Sequence, residues 1–319
     1  MRDFISLKDF TSAQWKQLLS LSREVKGRAS NFRQMLPGKS IVLIFEKPSL
    51  RTRLTFELGV RQLGGDAVYL DYQEARLGGR ESLGDVARNL ERWFDCIVAR
   101  TFSHGDVVEL AEQANISVIN ALSDAEHPCQ AVADVFTLSE KWENLGDKML
   151  AYVGDGNNVC TSLVHAAALA GMSFTAITPE SHRPSVSVEE DFKLLSINPK
   201  ATYTYTDSVE GIRGADVVYT DTWVSMGQEG EAQDRLALLQ PYQVTPELMS
   251  QAGKRAFFMH CLPAHRNQEV TDAVMDSPSS LVFEQAENRL HVQKALLMML
   301  LAPKELDRYL HLEKWAAWK

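Results

Sequence analysis

The stretch Ser40-Ile41-Val42-Leu43-Ile44-Phe45-Glu46-Lys47-Pro48-Ser49-Leu50-Arg51-Thr52-Arg53 holds five consecutive apolar residues, breaks at a proline and then regains helical periodicity as far as Leu63. Residues 41–45 are too few for a stable helix and rich in β-branched side chains. They read as a strand buried on both faces, the pattern of a parallel sheet. Gly64-Gly65-Asp66 ends the helix, and residues 67–70 read as the next strand. Upstream, Thr11 and Gln14 form a capping box that opens a helix to about Arg28. Downstream come a helix at 82–94, a strand at 96–100, a helix at 105–114 and a strand at 116–120. Strand and helix alternate throughout, so the first half predicts a parallel α/β layer.

A long periodic stretch from Cys129 to about Glu143 leads out of this layer, and a second strand series begins at 149–153. Further strands are expected at 174–178, 201–205, 216–220, 256–259 and 281–283. Helices follow from about Glu287 to Leu300 and from Pro303 to the end. Right-handed crossovers turn two such series into an α/β fold of two doubly wound parallel-sheet domains of similar size, with a C-terminal helix packing back on the first. The expected division is 1–130 together with 288–319 for the first domain and 131–287 for the second.

With 319 residues the chain fits about two domains of ~150 residues each. Its 42 acidic and 33 basic residues give a net charge of −9, and no Lys/Arg-rich segment offsets it, which excludes generic nucleic-acid binding. No apolar run approaches the ~20 residues of a membrane span, and the mixed charges of the N-terminus fit neither a signal nor a transit peptide. Cys96, Cys129, Cys160 and Cys261 are scattered and do not form a disulfide framework. The expectation is a soluble, cytoplasmic protein with reduced thiols.

Six segments carry chemistry. At Ser49 to Arg53 a helix begins where a strand ends, so unpaired N–H groups and the positive end of the helix dipole favour an anion. Arg51 and Arg53 lie about 200° apart on that helix, which assigns Arg51 to a ligand and Arg53 to an ion pair; an ordinary capped helix with solvated arginines also fits. His127-Pro128-Cys129-Gln130 places a His and a Gln three apart, able to face one carbonyl and its NH₂ group, or else a structural His at a helix start. Gly154-Asp155-Gly156-Asn157-Asn158 lacks the third glycine of the dinucleotide fingerprint, so a nicotinamide cofactor is not expected, yet Asn158 sits at a sheet's carboxyl edge. Asp221 to Glu229 follows an apolar strand, and its carboxylate suits an ammonium group or simply an acidic surface loop. Met259 to Arg266 contains His260, Cys261 and His265, but their spacing is not that of a zinc site, and His260 and Cys261 are expected to point in opposite directions. Arg289 opens the final helix.

Together these segments resemble the aspartate/ornithine carbamoyltransferase family, in order from Phe45 to Arg289 and over nearly the whole chain. Ser49-Leu50-Arg51-Thr52-Arg53 is similar to the family's Ser-Thr-Arg-Thr-Arg phosphate motif, and His127 to Gln130 matches its HPCQ motif. Asp221-Thr222-Trp223-Val224-Ser225-Met226-Gly227 resembles the ornithine loop, and His260-Cys261-Leu262-Pro263 the motif that separates ornithine from aspartate members. The resemblance implies carbamoyl transfer from carbamoyl phosphate to the δ-amine of L-ornithine, without metal or organic cofactor. It implies carbamoyl phosphate contacts from Ser49, Leu50, Arg51, Thr52, Arg100, His127, Gln130, Cys261, Leu262 and Arg289. Ornithine contacts would come from Asn158, Asp221, Ser225 and Met226. Of these, Arg51, Thr52, Arg100, His127 and Cys261 would be catalytic.

It further implies a homotrimer or a multiple of trimers, with sites between subunits. Two departures bear on this. Leu50 replaces a Thr and removes one hydroxyl from the phosphate loop, and Arg76 stands where many relatives carry a Gln that reaches a neighbouring subunit; Arg76 and Arg80 are the candidates for a charged substitute. The competing readings are a carbamoyltransferase for another amine such as putrescine, and a non-catalytic ligand-binding paralogue.

Overall fold

A computed structural model of the protein describes residues 2–70, 81–224 and 229–316. The chain divides into two compact units, Met1–Asp124 with Arg289–Lys319, and Ala125–Asn288.

In the first unit the strands are β1 (Ser40–Phe45), β2 (Asp66–Leu70), β3 (Cys96–Arg100) and β4 (Ser117–Leu122). They form one parallel sheet in the order β2-β1-β3-β4. Helices α1 (Ser12–Gly27), α2 (Leu50–Gln62), α3 (Leu83–Leu90) and α4 (His104–Gln113) flank it. Val42, Ile44, Ile97, Ala99 and Val118 on one sheet face pack against Leu83, Ala87 and Leu90 of α3 and Val107 and Leu110 of α4. Burial on both faces is why β1 and β3 carry continuous apolar runs rather than an alternation. The chain passes from β1 to β2 on one side and then to β3 on the other, so the strand order reverses between the carboxyl ends of β1 and β3. Phe45 and Arg100 stand opposite each other there.

The second unit begins with α5 (Pro128–Ser139), with Pro128 in the first turn where its missing N–H costs nothing. Its strands are β5 (Met149–Val153), β6 (Ser173–Ile177), β7 (Tyr203–Thr206), β8 (Val217–Thr220) and β9 (Phe257–His260), all parallel in the order β7-β6-β5-β8-β9. Helices α6 (Asn158–Ala170), α7 (Ser187–Leu195), α8 (Ala232–Leu239), α9 (Pro246–Met249) and α10 (Asp272–Met275) fill the connections. Here the reversal falls between β5 and β8.

One expected strand is absent. Residues 281–283 open the long helix α11 (Val282–Leu301) instead, and only an isolated bridge between Phe258 and Ser280 remains near them. Three apolar residues were too short a run to discriminate, and the Glu284-Gln285-Ala286-Glu287 that follows favours helix. The stretch after Cys129 also ends early, at Ser139 rather than near Glu143.

The C-terminal part of α11 packs on the first unit, followed by α12 (Pro303–Ala316). Lys294 donates to Gln62 of α2 (3.0 Å), a Cβ on Gly59 would lie 3.2 Å from the Lys294 side chain, and the Phe32 and Tyr309 rings sit 4.7 Å apart. The expected return of the C-terminal helix onto the first domain is therefore present.

Candidate active site

In the first unit the candidate residues gather at the strand-order reversal, where open α/β sheets bind ligands. Ser49 caps α2, its Oγ accepting the Thr52 N–H at 3.4 Å. Arg51 lies in the first turn, where the helix dipole adds to its charge. Thr52 is fully buried, and its Oγ accepts from Arg289 Nη2 of α11. With that lone pair engaged, the Thr52 hydroxyl proton is directed elsewhere as a donor. Arg100 ends β3 buried to 6% exposure, at a register shift with β4 that displaces the strand end. The Leu50 side chain is 69% exposed, so its backbone N–H is what it offers an anion.

Arg53 pairs with Glu57 (3.3 Å) and lies over the Tyr69 ring. Lys47, half-buried, holds its ammonium 4.5 Å from the Phe102 ring centre. Burial pushes its pKa down, and the neighbouring Arg100 pushes it further. Glu46 next to it is pushed up by burial, although the Phe102 N–H donates to its carboxylate.

In the second unit His127 is the residue before α5, and its backbone N–H donates to Ser162 Oγ of α6 (2.8 Å). Gln130 Nε2 donates to Asp134 Oδ1 (2.8 Å), which holds the side-chain amide in place. Asp134, wholly buried, also receives Gln285 Nε2 and the Tyr219 hydroxyl. Burial and then Asp134 raise the Tyr219 pKa and keep that phenol protonated as a donor. Asp134 lies one helical turn from Gln130, a spacing visible in the sequence itself.

Asp221 follows β8 and is 6% exposed. Asn157 Nδ2 donates to its Oδ2 (2.8 Å), while the Thr222 N–H and Cys261 Sγ donate to Oδ1, each at 2.7 Å. Asn157 is also the cap of α6, its Oδ1 accepting the N–H groups of Val159 (2.9 Å) and Cys160 (3.2 Å). The sequence pointed to Asn158, which is the first helical residue; its neighbour Asn157 grips Asp221, and its place before the helix was the available signal. Ser225, Met226, Arg76 and Arg80 lie outside the described residues.

His260, Cys261 and Asp221 each bring a donor atom within 4.8 Å of the others, so His260 and Cys261 do not diverge as strand alternation predicts. The strand ends at His260, and Leu262 takes φ +59°, which turns the chain back. A left-handed Leu costs about 1–3 kcal/mol. The His260 nitrogens are committed, Nδ1 accepting the Leu262 N–H (2.9 Å) and Nε2 facing the buried Glu269 (3.2 Å). The cluster is thus hydrogen-bonded within the protein, and a metal is not needed to explain it.

A family model described as the carbamoyl-phosphate-binding domain of aspartate/ornithine carbamoyltransferase matches residues 2–140, and one described as the Asp/Orn-binding domain matches residues 146–300. The chain belongs to the aspartate/ornithine carbamoyltransferase family. A relative named ornithine carbamoyltransferase from Shewanella oneidensis is 49% identical over 303 residues, covering 94% of this chain and 99% of its own. Solved ornithine carbamoyltransferases are similar in fold. That of Pyrococcus furiosus has a TM-score of 0.89 at 42% identity and covers 94% of this chain and 97% of its own. That of Thermus thermophilus has 0.85 at 40%, with 94% and 99% covered.

Proposed function

We propose that the protein transfers the carbamoyl group of carbamoyl phosphate to the δ-amine of L-ornithine, giving L-citrulline and phosphate, as a step of arginine metabolism. The observation that carries the reading is the Asp221 carboxylate, held by Asn157, Thr222 and Cys261 beside the carboxyl end of β8, in a chain so similar to relatives named for ornithine. The unit Met1–Asp124 with Arg289–Lys319 acts as the carbamoyl phosphate domain and Ala125–Asn288 as the ornithine domain; the boundary expected at 130 would cut α5, which belongs whole to the second unit.

Ser49, the Leu50 N–H, Arg51, Thr52, Arg100 and Arg289 hold the phosphate. Arg51, Thr52 and His127 donate to the carbonyl oxygen that becomes negative, and preorganised donors of this kind contribute about 3–4 kcal/mol each. The Gln130 carbonyl oxygen accepts from the carbamoyl NH₂. Asn158, Asp221, Ser225 and Met226 bind ornithine, and the backbone carbonyls of Cys261 and Leu262 accept from the attacking amine. A primary amine of pKa about 10 must be neutral to attack, and a carboxylate beside it would hold it charged. Asp221 is therefore assigned to the α-ammonium, and a phosphate oxygen takes the later proton. No cofactor enters this sequence.

The protein acts as a homotrimer or a multiple of trimers. Leu50, Leu54 and Leu58 are exposed at 69, 52 and 47%, one turn apart along α2, and Val68 is exposed on the edge strand β2. A stripe of this kind favours an apolar partner. The cytoplasm is the proposed location: all four cysteines are free thiols, and no described helix is long and apolar enough to cross a membrane. Initial rates of ureido-product formation with ornithine, putrescine and aspartate test the activity, and native mass tests the assembly. Citrulline formation at the fastest rate is expected; putrescine winning, or no turnover at all, overturns the reading.

A further inference from the structure

One buried guanidinium has no role in the scheme above. Arg235 of α8 is 8% exposed. It donates from Nε to the Trp223 carbonyl (2.8 Å) and from Nη2 to the Asp155 carboxylate, and its Nη1 stands 3.0 Å from His182 Nε2. The three partners come from three connections, those that follow β8, β5 and β6. Asn157, two residues beyond Asp155, grips Asp221, and Asp221 lies two residues before Trp223. Arg235 thereby closes a ring of contacts around the Asp221 carboxylate. The Trp223 indole also lies close to the Gly154 backbone, where a Cβ would meet its nitrogen at 3.2 Å.

A guanidinium has donors and no acceptor, so its contact with His182 is a hydrogen bond only while Nε2 carries a lone pair. The ring proton then sits on Nδ1, 3.0 Å from Ser181 Oγ. The His182 backbone is anchored too, its carbonyl accepting the Gly156 N–H (3.0 Å). Two charged groups face the ring: Arg235, which repels a protonated imidazole, and Asp155, whose charge Arg235 already neutralises at closer range. Burial raises the Asp155 pKa, while Arg235 and then His182 oppose the rise. On His182's own segment Arg183 is turned away over the Tyr205 ring, and Glu180 receives the Tyr205 hydroxyl. A proton on Nε2 would remove the acceptor and set two cations 3.0 Å apart.

We propose, on the basis of the assignment of Asp221 to ornithine, that Arg235 is a positioning residue for the ornithine site and that His182 Nε2, as acceptor, holds it in place. His182→Gln supplies an amide oxygen that can accept from Arg235 instead, and His182→Ala supplies no acceptor. The experiment measures kcat and KM for both substrates in wild type and in these variants.

Ornithine KM is expected to rise about fivefold to tenfold in His182→Ala, as for one ordinary hydrogen bond, and to stay within about twofold of wild type in His182→Gln. Carbamoyl phosphate KM stays flat in both. Arg235→Lys, which keeps the charge and loses the fork, is expected to raise ornithine KM about tenfold with kcat within about threefold. An unchanged ornithine KM in His182→Ala, or carbamoyl phosphate KM moving in step with ornithine KM in any of the variants, overturns the proposal. With citrulline still formed, that result leaves the activity standing; a wild type that forms none brings both down.

Discussion

Helices α2 and α6 each begin at the carboxyl end of the strand beside which their sheet reverses order, and their first turns are engaged in different ways. In α2 the cap is a serine whose oxygen takes one N–H at 3.4 Å, and the side chains nearby are Lys47, Arg51, Arg100 and Arg289. In α6 the cap is Asn157, which takes two N–H groups at 2.9 and 3.2 Å, accepts from the Tyr152 hydroxyl, and turns its amide to Asp221. The helix dipole favours an anion at both places. What differs is the charge beside the first turn: Asp155 and Asp221 lie by α6, and basic side chains gather at α2. In the proposed scheme the same strand-turn-helix geometry serves an anion in one half and an ammonium group in the other.

The strongest way to break this contrast is Arg51→Ala. A fall in kcat/KM of about 1,000-fold is expected, with circular dichroism unchanged and Tm within about 2 °C; steady-state kinetics with an unaltered rate would remove the anion site from the scheme. Asp221→Asn addresses the other half. It should raise ornithine KM about 100-fold, the loss of a charged hydrogen-bond partner, and leave carbamoyl phosphate KM alone. If instead the phosphate substrate suffers, the two halves are not divided as described.

A finer test is Asn157→Asp, because Asp caps a helix as well as Asn does. The helix should persist, with Tm within about 2 °C, while a second carboxylate against Asp221 lifts ornithine KM about tenfold. A large fall in Tm with unchanged KM would reduce Asn157 to a cap. The smallest effect concerns Lys47, whose pKa burial and Arg100 lower. Its charge is present below that folded pKa and is lost as pH rises through it, earlier than for an exposed lysine. Carbamoyl phosphate KM should therefore climb about threefold in the alkaline range, and Lys47→Met should flatten the climb. A climb that survives the substitution assigns it to another group.

Much of the fold was legible because buried parallel strands are short and uniformly apolar: 41–45, 96–100 and 149–153 needed only a length and a flanking turn to be placed. Residues 281–283 show where that signal fails, since an apolar triplet is compatible with the first turn of a helix. In the candidate site, Ser49, Arg51 and Asp221 stood out in the sequence because each follows closely on a strand, and His127 because it precedes a helix that opens with proline. Asn157 and Asp134 had local signals, a cap position and a one-turn spacing. Arg235 had none, because its partners Asp155, His182 and Trp223 are joined only by tertiary structure.

Gly156 carries a consequence for the history of the fold. A Cβ there would stand 2.3 Å from the His182 carbonyl and 2.6 Å from Pro184, so the room that glycine makes is already filled by the protein's own backbone. In a dinucleotide fingerprint the corresponding room admits a pyrophosphate. Restoring the third glycine to this turn would complete a pattern without creating a cofactor site, and a lineage starting from this chain would have to rebuild the connection after β6 before it could acquire one.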